Sequence, residues 1–329
     1  AIQLSEMPPA DGPAFESAGR SADSLEHRRF TRIIPSTWRI SSFSAMVSGK
    51  KRRLELPDRD ETGPGVAATV GTETVPAADI AVGADMFSFP QGARPGILIH
   101  KIFEDLDFTA VMSEATQSLI KKALDESQYD VERWQPAIHR MVRNVCDAPL
   151  PSEHGRLKLA NVRPQDCTSE LEFYMPLQTM SRNRLHDIFA RHRQEACYGD
   201  FPEKIDALTF GQLQGFMKGF VDLVFTRDDR FYIVDWKSNY LGAATTDYES
   251  PALARVMRES YYVLQYHIYT MAVHRYLRRR MPEDYDYDHC FGGVFYLFVR
   301  GIAPDANSGI FFDRPPFALI DELCRELLA

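Results

Sequence analysis

The chain has 329 residues, 38 Lys and Arg against 46 Asp and Glu, a net charge of −8 and a hydrophobic share of 44%. Those values describe an ordinary soluble globular chain with material for one large or two modest domains. The acidic balance excludes a protein that coats nucleic acid or anionic membrane through bulk charge, and leaves local basic surfaces or an acidic cation site open.

No stretch approaches the roughly 18 uninterrupted apolar residues of a membrane span. The N-terminus lacks the basic and then apolar pattern of a signal peptide, and the missing initiator Met suggests a fragment or a processed chain. The five cysteines, Cys146, Cys167, Cys197, Cys290 and Cys324, are scattered without C-x-x-C spacing. They indicate neither a zinc site nor an iron–sulfur cluster, and predict free thiols in a reducing cytoplasm.

Residues 1–35 are polar, carry Pro8, Pro9, Gly12 and Pro13, and predict a linker. Trp38 to Ser44 has the composition of a short docked segment. Residues 57–96, rich in Gly, Pro, Ala and Thr, predict a disordered or surface-draped connection. The expected division is therefore an extended, partly disordered segment over 1–95 and a folded domain over 96–329, with its core at about 165–301.

Order is expected from Gly96. Helical spacing runs through 97–147, with Ile97, Leu98, Phe103 and Leu106, then Leu119, Ile120 and Leu124, then Trp134, Ile138, Met141 and Val145. Strands are predicted at Glu170–Tyr174, 217–226 and 231–237, a helix at 260–279, a strand at 291–299 and an amphipathic helix at 316–329 after Pro315. No internal repeat is evident.

The most informative stretch is 219–237. Two apolar, β-branched and aromatic runs flank Arg227-Asp228-Asp229-Arg230 and predict an antiparallel hairpin. A two-residue loop at Asp228-Asp229 sets Arg227 against Arg230 and, in the same register, Asp222 against Asp235. Carboxylates so placed repel, and a divalent cation removes the conflict; oxygen ligands with room for water suit Mg²⁺ or Mn²⁺. Lys237 projects from the same strand face as Asp235, where it can orient a nucleophile, take its proton or stabilise developing charge. The alternative is a solvated hairpin face on which Asp and Lys pair as surface ions, which the flanking Val, Leu, Ile, Phe and Trp disfavour. His100, set among Ile97, Leu98, Ile99 and Phe103, reads by itself as a core histidine.

Asp222 followed by Asp235-x-Lys237 on the next strand resembles the signature of the PD-(D/E)XK nuclease superfamily. More specifically, 215–225 (GFMKGFVDLVF), 234–242 (VDWKSNYLG), 264–270 (LQYHIYT), 291–301 (FGGVFYLFVRG) and 99–109 (IHKIFEDLDFT) resemble the RecB-type nuclease domains of that superfamily. The resemblance implies an α/β fold: a restriction-endonuclease-like core with a mixed central sheet flanked by helices, preceded by a helical segment. It implies that His100, Asp222, Asp235 and the backbone carbonyl of Trp236 hold Mg²⁺, for which Mn²⁺ or Ca²⁺ can substitute. Asp222, Asp235 and Lys237 would be catalytic, with Lys237 as base or water-orienting group.

Gln265 and Tyr269, one helical turn apart, match a family element and are expected to support the lysine and contact phosphate. Glu170 and Glu172 alternate on one strand face; Glu172 is favoured as an accessory carboxylate. Arg275, Arg278, Arg279 and Arg280 are candidate DNA contacts, as are Lys50–Arg53 and the Arg182, Arg184, Arg191 and Arg193 group, although positive charge also suits a helix C-terminus.

The function implied is a Mg²⁺-dependent deoxyribonuclease that hydrolyses phosphodiester bonds by in-line attack of water, leaving a 5′-phosphate. It would act in double-strand break processing and recombination, with RecC and RecD as partner subunits, RecA as a further partner and DNA as substrate, in the bacterial cytoplasm. No Walker-type nucleotide motif occurs in the chain. The rival expectations are a non-catalytic docking module for RecA or a helicase, and a free-standing endonuclease.

Overall fold

The computed structural model describes residues 38–47, 84–153, 155–193, 199–210, 212–304 and 306–329, all within the unit Thr37–Ala329. The expected linker over 1–35, most of the connection over 57–96 and the Lys50–Arg53 run lie outside them.

Strand β1 (Trp38–Ser41) and helix α1 (Phe43–Val47) form the docked segment anticipated at Trp38–Ser44. Packing resumes at Ala84, earlier than expected, because Met86 and Phe89 are buried in the core ahead of α2 (Ala93–Asp105). The helical spacing over 97–147 divides into α2, α3 (Glu114–Glu126) and α4 (Val131–Asp147). Polar caps make the breaks: the Ser113 hydroxyl accepts the Thr116 N–H and the Asp130 carboxylate accepts the Arg133 N–H. A small hairpin, β2 (Leu150–Ser152) and β3 (Gly155–Leu157), follows.

The predicted strand at 170–174 is the middle of a much longer one, β4 (Cys167–Met180). Helices α5 (Arg182–Arg191) and α6 (Phe201–Ile205) then lead to the central hairpin, β5 (Leu213–Arg227) and β6 (Arg230–Lys237). Beyond it come α7 (Ser250–Glu259), the long α8 (Tyr262–Arg280), the single turn α9 (Tyr287–Cys290), β7 (Phe291–Phe298), β8 (Ile310–Asp313) and α10 (Phe317–Leu327). Among the described residues no helix is long and apolar enough to cross a membrane.

Six strands make one mixed sheet in the order β1-β5-β6-β7-β8, with β4 also paired to β5. Strand β5 pairs parallel with β1 and antiparallel with β4 and β6. Helix α8 provides the crossover from β6 to its parallel neighbour β7, as such a pair requires. One face of the sheet buries Val221, Ile233 and Tyr296 against residues of α5, α6, α7, α8 and α10. The other buries Leu223, Val234, Trp236 and Phe295 against α2, α3 and α4. Trp236 stacks on Phe103 with ring centroids 4.2 Å apart, locking α2 to β6. Where β4 crosses β5, Phe173 lies over Gly219 so closely that a Cβ there would meet the ring at 2.5 Å.

Candidate active site

The hairpin turn is the two-residue loop expected from sequence: Asp228 and Asp229 both adopt left-handed backbone, with φ of 51° and 59°, and Arg227 pairs with Arg230. Pairing between β5 and β6 runs to Leu223 and Val234 and there the ladder ends. The next positions in that register are Asp222 and Asp235. Instead of continuing the ladder, the Asp222 carboxylate enters the gap, and its Oδ2 accepts the Trp236 N–H at 2.8 Å. The strand also changes face here: Val221 and Val224 join one core, Leu223 and Phe225 the other.

Strand β4 is distorted at the same level. Ser169 pairs with Leu223 and Leu171 with Val221, so Glu170 stands beside Asp222 with a φ of +52°. Left-handed backbone is an outlier for glutamate inside a strand, and such strain gathers at functional sites. Helix α2 delivers the third group. Leu98, Ile99, Ile102 and Phe103 enter the core, and His100, its side chain 17% exposed, places Nδ1 3.5 Å from Asp222 Oδ2.

Donor atoms of His100, Glu170 and Asp222 all lie within 4.8 Å of one another. The buried Nδ1 of His100 has the Asp222 carboxylate at 3.5 Å and no contact of full hydrogen-bond geometry, although buried polar atoms ordinarily have one. One imidazole and two carboxylates form a donor set that fits a divalent cation. Asp235 lies beside this triad and turns its Oδ2 to Lys237 Nζ, 2.7 Å away. Glu172, favoured from sequence, is not in the cluster: it faces outward, 2.8 Å from Lys218 Nζ. The left-handed turn at Glu170 separates the roles of two residues that simple alternation would put on one face.

Lys237 is buried in a cage. Its Nζ donates to Gln265 Oε1 at 3.2 Å and lies 4.1 Å from the Tyr262 ring centroid and 5.2 Å from that of Tyr296. Gln265 is oriented from both ends, because Tyr296 donates to its Oε1 at 2.9 Å and its Nε2 donates to the Tyr269 hydroxyl at 3.0 Å. Tyr262 and Tyr296 escaped the sequence reading. Tyr262 carries the helical signal that marked Tyr269, since it sits three residues before Gln265; Tyr296 looks like any other aromatic in an apolar strand.

Among the described residues, basic groups of α5 and α8 are engaged outside the cluster. Arg275 and Arg278–Arg280 lie about 15–22 Å along α8 from Gln265, and Arg275 donates to the Ala329 carbonyl. Arg184 and Arg191 pair with Glu326 and Glu322 of α10, and Arg193 pairs with Glu203. Glu104, one turn past His100, meets Lys101.

Two buried histidines show the electrostatics. Desolvation in α8 pushes the pKa of His267 down to about 3, with its Nδ1 against the Val263 carbonyl at 2.6 Å. Burial acts on His100 in the same sense, but the Asp222 carboxylate outweighs it and raises the pKa to about 9. Asp222 is conversely held below the usual carboxylate range; burial opposes this and the His100 charge prevails.

With the folded pKa of His100 above its unfolded 6.5, the pair's contribution to stability is complete below pH 6.5 and is lost as pH rises through about 9. Chelator-treated protein should therefore lose thermal stability across that interval, and His100→Ala should remove this part of the slope. Melting curves at several pH values decide it; an identical slope in the variant would refute the pairing.

A family model described as the PD-(D/E)XK nuclease superfamily matches residues 84–327. The RecBCD enzyme subunit RecB of Escherichia coli strain K12 is 34% identical over 310 residues, covering 92% of this chain and 24% of that protein. The subunit of the same name in Haemophilus influenzae is 31% identical, over 98% of this chain and 26% of that protein. In Mycobacterium tuberculosis it is 28% identical, over 94% and 31%. The chain thus spans about a quarter to a third of the length of these relatives. The family match extends from the segment before α2 to the end of α10 and takes in the whole candidate site. The chain belongs to the PD-(D/E)XK nuclease superfamily.

Proposed function

We propose that this chain is the nuclease domain of a RecB-type subunit and hydrolyses DNA phosphodiester bonds with Mg²⁺, in the processing of double-strand breaks. The observation that carries the reading is the convergence of His100, Glu170 and Asp222 on one point, beside a lysine held by a second aspartate. His100, Glu170 and Asp222 would hold the cation, with Asp235 and the Trp236 carbonyl completing the set; Mn²⁺ or Ca²⁺ can take its place. When bound, the cation polarises the phosphoryl oxygen and lowers the pKa of water, as divalent ions do in such sites.

The protein's own part is positional and electrostatic. Lys237 donates to Asp235 and Gln265 and lies over two aromatic faces, surroundings that favour its ammonium form. In that form it orients the attacking water and stabilises charge on the phosphate, aimed by Gln265, Tyr269 and Tyr296. Retention of His100, Asp222, Asp235 and Lys237 together disfavours a non-catalytic docking module. Membership of an assembly with RecC- and RecD-type subunits is supported by relatives that are subunits of the RecBCD enzyme. An encounter with RecA, and residence in the bacterial cytoplasm, extend the same reading.

The test is cleavage of linear single-stranded DNA by the 329-residue chain. Activity should require added Mg²⁺ or Mn²⁺, stop with chelator, return on resupply and leave 5′-phosphate ends. Undiminished cutting in chelator, or no cutting with either ion, would overturn the reading.

A further inference from the structure

Arg300 follows β7 and is only 4% exposed. Its guanidinium faces main-chain carbonyls: Nε donates to Ser238 at 2.8 Å, Nη1 to Met86 at 2.6 Å and Phe89 at 2.8 Å, and Nη2 to Pro90 at 2.6 Å. Among the described residues no carboxylate pairs with it. Burying a cation without a counter-ion is expensive, so four charge-assisted hydrogen bonds here offset a penalty that an apolar residue would avoid.

The segments joined in this way are those that carry the candidate site. Ser238 directly follows Lys237 at the end of β6. Met86, Phe89 and Pro90 lead into α2, whose second turn bears His100. Arg300 itself continues β7, which supplies Tyr296 to the lysine cage. No side chain caps the start of α2, and Gly92 precedes it with a φ of 115°; beside Arg300 it is held by Arg94, which donates to the Ser127 carbonyl at 2.7 Å, and by Phe89, packed on Tyr129 and Trp134. A planar fork with five donors can span three segments, whereas a lysine ammonium is a single point.

We propose that Arg300 is a positioning residue that sets α2 against β6, so that His100 reaches Asp222 and Glu170 before any cation or DNA arrives. The proposal rests on the metal-centre reading above. Its effect acts through His100 and Lys237, and Arg300 touches no reacting group.

The experiment titrates Mn²⁺ into the metal-free 329-residue chain by calorimetry and follows hydrogen exchange over residues 84–92 in the absence of metal. Arg300→Gln should speed exchange in that segment and weaken Mn²⁺ binding about tenfold, the scale of lost supporting contacts at metal sites. Arg300→Lys, which keeps the charge and loses the fork, should fall between wild type and Gln. Asp85→Ala approaches the same contacts from outside the core: the Asp85 carboxylate holds the Ser88 N–H and hydroxyl, both at 2.8 Å, in the receiving turn. It should weaken Mn²⁺ binding, by less than Arg300→Gln does, and keeps the proposal testable if the buried variants do not fold. Ile320→Ala, a core truncation in α10 on the other side of the sheet, should lower thermal stability and leave Mn²⁺ affinity unchanged.

Wild-type Mn²⁺ affinity in Asp85→Ala and in every folded Arg300 variant overturns the proposal, as does an equal loss in Ile320→Ala. His100→Ala separates the two levels. If it abolishes Mn²⁺ binding while the Arg300 and Asp85 variants leave it intact, only the positioning role fails. If His100→Ala binds Mn²⁺ as wild type does, the metal-centre reading fails and takes this proposal with it.

Discussion

Replacing Lys237 by alanine is expected to slow cleavage of single-stranded DNA about a thousandfold, the scale on which a preorganised charge at a reacting centre acts. The cage around Nζ is tight: Asp235 Oδ2 lies at 2.7 Å, Gln265 Oε1 at 3.2 Å and the Tyr262 ring at 4.1 Å. A water filling the vacated space could satisfy Asp235 but would bring no positive charge to the phosphate. The deletion also strands a carboxylate that is 1% exposed, and breaking a buried pair from one side costs about 3–5 kcal/mol. Lys237→Met, which keeps most of the stem, separates lost packing from lost charge and should be as inactive as alanine. Arginine should not rescue, because the planar guanidinium exceeds a cage built round a compact ammonium. Single-turnover rates, with circular dichroism to verify folding, make the measurement. A Lys237→Met rate within tenfold of wild type would remove Lys237 from the mechanism.

The second large effect is expected at Asp222, where one carboxylate does two things. Its Oδ2 accepts the Trp236 N–H at 2.8 Å, closing the gap where the ladder opens, and stands 3.5 Å from His100 Nδ1. Asp222→Ala loses both, so the orphaned N–H should cost about 1–3 kcal/mol and Mn²⁺ affinity should fall by about 100-fold or more. Asp222→Asn retains an acceptor for Trp236 and should recover most of the stability without recovering the metal. In both variants the His100 pKa should drop toward or below its ordinary value, since the charge that raised it against burial is gone. Glu170→Gln should weaken Mn²⁺ binding about tenfold, and Glu172→Gln should not. Calorimetric titration and thermal melts read all four. Parallel recovery of stability and affinity in Asp222→Asn, or equal losses at Glu170 and Glu172, would contradict the assigned cluster.

Several of these residues are legible before any folding. The hairpin announces itself through two β-branched and aromatic runs around Asp228-Asp229, and its register holds as far as Leu223 and Val234, one step short of Asp222 and Asp235. Gln265 and Tyr269 declare a shared face by their spacing of four, and the structure joins them at 3.0 Å. The pairing of arginines is not legible in this way. Arg184 and Arg191 meet carboxylates 142 and 131 residues away, and no local charge pattern distinguishes a salt bridge across helices from a DNA contact.

Sequence by itself determined the mixed α/β character and the hairpin with its register as far as Leu223 and Val234, because these follow from periodicities of two and 3.6 that operate within a few residues. Tertiary structure alone decided the rest of the site. It chose Glu170 over Glu172 through a left-handed residue that strand alternation does not anticipate, and turned His100 toward a carboxylate by docking α2 on Trp236. It also set the Tyr262 and Tyr296 faces against Lys237. Each of those outcomes depends on where one element is pressed against another, and the free energy that decides it belongs to the assembled core.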